Sequence, residues 1–354
     1  MNKMQEAGAA SLAEIPGSGQ RSSRRLSVAP MLDWTDRHYR FFARLISRHT
    51  WLYSEMVTTG ALLYGDVERH LRFDESEHPL ALQLGGCDPH ELARCARLAE
   101  QWGYDEVNLN VGCPSERVQK GAFGACLMAE PALVADGIKA MRDAVGIDVT
   151  IKHRIGIDTI EDFDFLRAFV DTVAAAGCQT FIVHARNAVL KGLSPKENRE
   201  IPPLKYDYVH RLKRERPDLE ILINGGIQTL AQIDAQLEQV DGVMLGREVY
   251  HNPYLMAQWD ARYYDDPRPA RSRAEVVQAL LPYVERMLSE GHKLRNIARH
   301  VLGLFQGMPG ARAWRRMLSD AALLDGADSS LFLRALEQVD PARRPRPDRE
   351  KALA

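Results

Sequence analysis

The sequence predicts an α/β fold, a (β/α)8 TIM barrel followed by a small all-helical C-terminal domain. Its 354 residues suit one large barrel with an appendage. Eight short β-rich segments alternate with helical patterns over about 240 residues, as in this kind of barrel. Beyond about residue 265 the strand patterns end and only helical patterns remain.

Most of the eight predicted strands are continuous apolar runs, which are typical of parallel strands buried on both faces. They are Leu26–Ala29, Trp51–Ser54, Leu80–Leu84, Glu106–Asn110, Val149–His153, Phe181–His184, Glu220–Asn224 and Gly242–Gly246. The structural rival is a doubly wound open sheet. No GxGxxG sequence follows an early strand, which disfavours that rival.

Helices are predicted from capping residues and apolar spacing. Those between strands are Pro89–Trp102, Pro131–Val145, Ile160–Ala176 and Leu230–Gln239. Those after the linker-like DDPRPARSR are Arg273–Gly291, Lys293–Gln306, Ala311–Leu324 and Ser329–Val339. The predicted organisation is therefore a barrel over 26–264 and a helical domain over 265–340, with disordered tails at 1–25 and 341–354.

Composition excludes several classes of protein. Hydrophobic residues make up 45% and charged residues 27%, close to the average for soluble globular proteins. The five cysteines form no CxxC pair, so neither a disulfide framework nor a metal site is predicted, and a cytoplasmic location is expected. No apolar run approaches the ~20 residues that span a membrane. A net charge of -2 excludes a chain that is basic throughout, although not a basic patch.

Polar residues cluster where the predicted strands end, and barrel active sites lie at the carboxyl ends of the strands. One such residue is more often a satisfied core group, but seven strands ending this way indicate a ligand. The residues are Pro30, Met31, Gln83, Asn108, Asn110, Cys113, Lys152, His153, Arg154, His184, Arg186, Asn224 and Arg247.

Glycines follow the last two predicted strands and favour a phosphate site. Asn224-Gly225-Gly226 and Gly246-Arg247 occupy the loops that commonly bind phosphate in this fold, and glycine permits close approach of the backbone. Flavin mononucleotide (FMN), a sugar phosphate and pyridoxal phosphate all fit such a site. Lys152 suits either a Schiff-base nucleophile or a cation beside an anionic cofactor.

The thiol best placed for chemistry is that of Cys113. It stands between Gly112 and Pro114, in the first loop after the fourth strand. Cys87 competes with it, since it also follows a strand, and the residues favour Cys113. Cys95 and Cys178 are expected to be buried hydrophobic residues, and Cys126 is expected to pack against the same loop as Cys113.

The segment NLNVGCPS (Asn108–Ser115) resembles the tRNA-dihydrouridine synthase family, flavoenzymes that reduce particular uridines of tRNA. Further matching segments are APMLDWTDRHYR, LQLGG, KGAFGACLM, IKHRIGID, VHARNA and NGGI. The resemblance covers about residues 26 to 320. The segment LKGLSPKENREIPPL (Leu190–Leu204) is similar to the subgroup that acts at positions 20 and 20a of the D-loop.

The resemblance implies roles for residues already selected. Reduction of FMN by NADPH would be followed by hydride transfer to uracil C6, with Cys113 as the acid that protonates C5. The implied cofactor-binding residues are Pro30, Met31, Leu32, Gln83, Lys152, His184, Asn224, Gly225, Gly226, Gly246 and Arg247. Asn110 is expected to hold the uracil.

The distribution of basic residues predicts that the chain binds tRNA. Residues 271–316 contain nine Lys or Arg against three acids, a net +6, which favours a phosphate-binding surface over a merely solvated face. The resemblance supports Arg312 and Arg315 as contacts, with Lys196 and Arg199 as candidates on the barrel. No membrane association and no obligate protein partner are predicted, and the chain is expected to be a monomer.

Three other functions remain open from the residues alone. One is a flavin barrel acting on a free pyrimidine, of the dihydroorotate dehydrogenase type, which would not need the basic helices. Another is a sugar-phosphate lyase or isomerase that uses Lys152 as its Schiff base. The last is a tRNA-binding chaperone without chemistry, against which the presence of Cys113 argues.

Overall fold

A computed structural model of the chain describes residues 23–115, 118–119 and 121–339. Eight parallel strands form one sheet in the order β1-β8-β7-β6-β5-β4-β3-β2. Backbone hydrogen bonds from Trp51 to Leu26 and from Val28 to Trp51 join the two edge strands, so the sheet closes and the predicted TIM barrel is confirmed. The strands are β1 (Leu26–Val28), β2 (Leu52–Thr58), β3 (Leu80–Gly85), β4 (Glu106–Val111), β5 (Asp148–Arg154), β6 (Thr180–His184), β7 (Glu220–Asn224) and β8 (Gly242–Leu245).

Helices surround the sheet and continue beyond it. Through the last strand and just after it they are Arg37–Ile46, Thr59–Tyr64, Val67–Leu71, Pro89–Gln101, Pro131–Arg142, Phe163–Ala175, Tyr206–Glu215, Leu230–Leu237, Arg247–His251 and Trp259–Tyr263. The later ones are Arg273–Ser289, Leu294–Ala298, Ala311–Ser319, Ala321–Leu324 and Ser330–Leu336. Among the described residues, no helix combines the length and apolar character needed to cross a membrane.

The helix Arg37–Ile46 was not predicted because charged residues occupy its buried face. Arg40 is 4% exposed and donates to Glu77 at 2.6 Å. Arg44 is also buried and donates to the backbone carbonyls of Ser47, Thr50 and Glu77. Two buried arginines remove the apolar periodicity on which the prediction of an amphipathic helix depends.

Several predicted helices extend beyond the observed ones, and two of them show the physical reason. The helix predicted from Ile160 begins at Phe163, where Asp162 caps its first turn. The helix predicted over Lys293–Gln306 spans only Leu294–Ala298. After it the chain runs as turns close to a barrel helix, where a Cβ on Gly303 would lie 2.3 Å from the His251 carbonyl oxygen.

The helix predicted over Ala311–Leu324 is interrupted at Asp320. That residue has extended backbone, and its carboxylate accepts from the N–H groups of Ala322 and Leu323. An aspartate with this geometry starts a new helix instead of continuing the old one. The segment is therefore two short helices with a change of direction between them.

The folded part begins earlier than predicted. Most of the predicted tail lies outside the described residues, but Ser23 to Arg25 form a turn that covers the amino-terminal end of the barrel. The Arg24 guanidinium is paired there with Glu106 (2.7 Å), Asp148 and Glu220 (3.3 Å), and it lies over the Trp51 ring. The prediction of disorder is wrong for these three residues.

The helices after residue 272 pack directly on the helix Arg37–Ile46. The Tyr283 hydroxyl lies 2.7 Å from Nδ1 of His38, and its ring stacks on Phe41. Salt bridges join the same two parts, with Arg299 on Asp36 as an example at 2.6 Å. The predicted domain boundary near residue 265 stays a prediction.

We expect Arg24→Met to lower the free energy of unfolding by about 3–5 kcal/mol, because Glu106 would become a buried carboxylate without its cation. Urea denaturation measures the loss. The control is Arg167→Met, which removes exposed salt bridges to Glu215 and Asp171 and should cost about 0–1 kcal/mol. Equal losses in the two variants would show that Arg24 is not central to the stability of the amino-terminal end, or floor, of the barrel.

Candidate active site

The strand register brings the predicted site residues together at one end of the barrel. Asn110 pairs with Lys152 across β4 and β5. Arg154, His184 and Asn224 occupy matching positions of β5, β6 and β7. Because alternate residues of a strand point to the same face, these side chains converge on the interior at the carboxyl end.

Gln83 and Asn110 form one hydrogen-bonded unit with the cysteine loop. The Asn110 side-chain nitrogen donates to Gln83 Oε1 at 2.8 Å. Its oxygen accepts from the backbone N–H groups of Gly112 (3.1 Å) and Cys113 (3.0 Å). Asn110 therefore fixes the backbone that carries the thiol, a role in addition to the predicted contact with uracil.

The cysteine loop is also held from behind. The Cys113 carbonyl accepts from the N–H of Ala125 at 2.9 Å. Gly124 has a φ of +79°, and a Cβ there would lie 2.6 Å from the same carbonyl oxygen. Arg154 Nε donates to the Gly112 carbonyl at 3.1 Å. Residues 116, 117 and 120 of this loop lie outside the described residues.

Cations converge beside the thiol. Burial and then the charge of Arg154 lower the pKa of Lys152 to about 7, while a charge on Cys113 acts to raise it. Burial lowers the pKa of Arg154 to about 9, and here too Cys113 acts in the opposite direction. The Lys152 Nζ has no hydrogen-bond or salt-bridge partner among the described residues. A half-buried ammonium without a partner, beside other cations, favours an anionic ligand.

His184 lies within the same cationic group. Its pKa is well below the ordinary value because of burial and then the charges of Arg154, Lys152, Arg186 and Arg199. The ring is consequently neutral, and it can donate from one nitrogen and accept at the other. It lies under Gly225, where a Cβ would approach its ring to 2.9 Å.

The glycines after β7 have backbone that other residues rarely adopt. Gly225 and Gly226 have φ values of +119° and +71°. The Tyr206 hydroxyl fixes the turn by donating to the Gly225 carbonyl at 2.6 Å. This glycine turn lies against His184 and forms a cradle where backbone can approach a phosphate closely.

The remaining predicted cofactor residues flank this cradle. Asn224 donates to the Met244 carbonyl at 2.8 Å, and this bond ties the ends of β7 and β8. Gly246 leads into the helix that begins at Arg247, whose guanidinium lies 2.7 Å from Glu200. Arg247 was predicted to contact phosphate. In the structure its guanidinium is paired with the exposed Glu200 carboxylate.

Pro30, Met31 and Leu32 form the loop after β1, and their backbone was predicted to contact the cofactor. The Met31 N–H donates to Thr35 Oγ1 at 2.9 Å, and its carbonyl accepts from Trp34 and Thr35. The N–H of Met31 is therefore already used within the loop, and the predicted cofactor contact at Pro30, Met31 and Leu32 stays a prediction. Leu32 is 67% exposed.

The predicted tRNA residues fall into two places. Lys196 and Arg199 are exposed on the loop after β6, which the buried Asn198 organises by bonding both the N–H (2.7 Å) and the carbonyl (2.9 Å) of Val189. Arg312 and Arg315 lie on the helix Ala311–Ser319 of the C-terminal part. Arg315 donates to Gln306 at 2.9 Å, and Arg312 is exposed.

The competing thiol has different surroundings. The pKa of Cys87 is raised by burial and then by the carboxylates of Asp88 and Glu91. Cys113 instead interacts with the three cations Lys152, Arg154 and Arg199. The two thiols therefore differ in their surroundings, with cations near Cys113 and carboxylates near Cys87.

The sequence analysis placed Arg154 among the residues at the strand ends but assigned it no role. Besides Gly112, it donates to the carbonyls of Asn187 (3.3 Å) and Asn198 (3.1 Å), so it joins the cysteine loop to the loop after β6. Its place two residues after Lys152 was the available signal, since both point to the barrel interior.

A TIM barrel with a cationic mouth, a glycine cradle and the Cys113 thiol on its rim is typical of an enzyme with an anionic cofactor or substrate. Comparison with known proteins identifies the family. The family model for dihydrouridine synthase (Dus) matches residues 27–339. This chain belongs to the dihydrouridine synthase family, so the resemblance predicted from its motifs is confirmed.

Curated relatives extend the match over most of the chain. A tRNA-dihydrouridine(20/20a) synthase of Shewanella oneidensis is 58% identical over 316 residues, which cover 89% of this chain and 94% of the relative. One of Pseudomonas aeruginosa is 62% identical over 297 residues, 84% of this chain and 90% of the relative. One of Escherichia coli K12 is 57% identical over 322 residues, 91% and 93%.

We expect Gly124→Ala to displace the cysteine loop, because its Cβ would lie 2.6 Å from the Cys113 carbonyl oxygen. The free energy of unfolding should fall by about 2–3 kcal/mol, from strain and contact together. Gly192→Ala is the control, since it also has positive φ but meets no atom within 4 Å. Urea denaturation and the alkylation rate of Cys113 by iodoacetamide measure both effects. An unchanged alkylation rate in Gly124→Ala would show that the glycine does not position this loop.

Proposed function

We propose that the chain is a tRNA-dihydrouridine(20/20a) synthase, which reduces the C5=C6 bond of the D-loop uridines U20 and U20a with FMN and NADPH. The observation that carries the proposal is the Cys113 loop, fixed by Asn110 beside the cations of the barrel mouth. The target positions rest on the names of the relatives, which share 57–62% of their residues with this chain.

The residues at the mouth fit FMN. A phosphate would lie at the turn formed by Gly225 and Gly226, with His184 beneath it. Lys152 would lie beside the ring, where an anionic partner would offset the burial that lowers its pKa to about 7. Bound FMN, reduced by NADPH, supplies the hydride chemistry that no side chain can supply.

The hydrogen bonds of Gln83 limit what it can offer the cofactor. Its oxygen accepts from Asn110, and one hydrogen of its nitrogen is donated to Asn108 at 2.8 Å. An amide nitrogen has two hydrogens, so one N–H remains for a ligand. Gln83 would therefore act as a donor, suited to a carbonyl oxygen or a ring nitrogen of the flavin.

Cys113 would donate the proton to uracil C5. After this transfer, the charge left on the sulfur would face Lys152, Arg154 and Arg199. The same charges would stabilise the negative charge that develops on the uracil ring. The uridine must leave its base stack to reach this depth of the barrel.

The nine basic residues counted over 271–316 differ in whether they have a partner within the protein. Several of the nine already have partners within the protein: Arg271 on Leu45, Arg273 on Leu304, Arg286 on Asp74, Arg299 on Asp36 and Arg315 on Gln306. The other four have no salt bridge among the described residues: Lys293, Arg295, Arg312 and Arg316. We assign the tRNA phosphate surface to these four, with Lys196 and Arg199 at the barrel mouth.

We expect Cys113→Ala to retain FMN and accept hydride from NADPH but to form almost no dihydrouridine. Mapping of dihydrouridine in tRNA from a strain that lacks this activity should show its return at 20 and 20a with the natural chain only. Cys87→Ala is the control and should behave as the natural chain. Near-normal dihydrouridine with Cys113→Ala would eliminate this thiol as the acid. No product with the natural chain would favour a tRNA-binding protein without chemistry.

We expect the double variant Arg312→Gln, Arg316→Gln to bind tRNA about tenfold more weakly and to show a smaller dependence of affinity on salt. Filter binding over a range of salt concentrations measures both. The control Glu275→Gln changes charge on a nearby helix and should not weaken binding. Unaltered affinity and salt dependence in the double variant would place the phosphate surface elsewhere.

A further inference from the structure

A continuous chain of side-chain hydrogen bonds runs through the barrel interior from the cysteine loop to the floor. Asn110 donates to Gln83, which donates to Asn108 at 2.8 Å. Asn108 donates to Thr150 Oγ1 at 2.8 Å, and the Thr150 hydroxyl donates to Glu106. The four residues below Asn110 are all at most 1% exposed.

Both ends of this chain fix the direction in which its hydrogen bonds run. At the mouth, the N–H groups of Gly112 and Cys113 can only donate, so Asn110 must present its oxygen to them. At the floor, Glu106 also accepts from Arg24 and Tyr53 and is an acceptor throughout. Each amide between the ends then has one orientation that satisfies both neighbours.

A reversed amide would place two donors or two acceptors face to face in a buried site. Such a group costs about 1–3 kcal/mol for each unsatisfied partner. The carboxylate of Glu106 therefore fixes the orientation of Thr150 and, together with the loop N–H groups at the other end, restricts those of Asn108, Gln83 and Asn110. Gln83 and Asn110 are the members that face the site.

We propose that Glu106, Thr150 and Asn108 are positioning residues that orient Gln83 and hold the Cys113 loop through Asn110. These three residues lie in the barrel interior, below the carboxyl end where Cys113 lies. Their proposed role involves no contact with substrate. The part of the proposal that concerns uridine reduction rests on the proposed function. The part that concerns the loop does not.

The barrel offers a matched pair of threonines for the test. Thr150 donates to Glu106, and Thr180 on the adjacent strand donates to Glu220 at 2.6 Å. Both hydroxyls are buried, and both carboxylates also pair with Arg24. Replacing either threonine by valine removes one donor from a floor carboxylate, but only Thr150 belongs to the chain.

The experiment measures hydrogen exchange of the purified full-length protein by mass spectrometry, without added cofactor or tRNA. In Thr150→Val, the amides of Gly112 and Cys113 should exchange about five- to tenfold faster, since Asn110 loses its fixed orientation. They should be unchanged in Thr180→Val, and Thr150→Ser should restore slow exchange. Peptides from β7 serve as the reference for general loosening of the barrel.

Loop exchange equal to that of the natural protein in Thr150→Val overturns the proposal. So does faster exchange in proportion across the loop and β7, because the effect would then be global. A kinetic arm tests the second part. At saturating tRNA, Thr150→Val should lower kcat with little change in KM, and an unchanged kcat with a loosened loop overturns the role in the reaction. Absence of turnover in the natural protein would instead refute the proposed function and leave the exchange result standing.

Discussion

The buried carboxylate of Glu106 is the group on which the rest of the interior depends. It is wholly inaccessible to solvent and accepts from Arg24, Tyr53 and Thr150. These donors come from the segment before β1, from β2 and from β5, so one carboxylate joins the start of the chain to two strands besides its own. Burial raises the pKa of Glu106 and the charge of Arg24 opposes this, which makes the cation indispensable to the charged form.

The opposite end of the barrel has the reverse arrangement, with cations that lack anionic partners. Lys152 is half-buried there and Arg154 is buried, and desolvation is the chief cause that lowers their pKa values to about 7 and about 9. A floor that neutralises its charges and a mouth that does not are consistent with separate tasks. The floor contributes stability, and the mouth retains unfavourable electrostatic energy that an anionic ligand can relieve.

The sequence predicted the barrel well because β-rich runs, glycines and helix caps are local signals. All eight strands and the identities of the residues at the mouth followed from them. The helix Arg37–Ile46 and the turn at Arg24 were missed for a shared reason, which is that each places arginines in the interior. An arginine in the sequence is taken for a surface residue unless its buried partner is known. Glu77 lies 37 residues from Arg40, and Glu106 lies 82 residues from Arg24. The chain from Asn110 to Glu106 was hidden in the same way, since it joins three strands at positions that only the register aligns.

The net charge of the C-terminal helices has the sign expected for a nucleic-acid surface, but much of it is already paired within the protein. The net +6 of residues 271–316 indicated a nucleic-acid surface, but Arg286 and Arg299 use their charges to fasten these helices to Asp74 and Asp36 of the barrel part. A charge already paired within the protein releases few counterions when a phosphate approaches, and it adds little to affinity. The basic residues therefore divide between two functions. Paired arginines set where the C-terminal helices lie against the barrel, and the exposed ones on the same helices are then held in a fixed position relative to the mouth that contains Cys113.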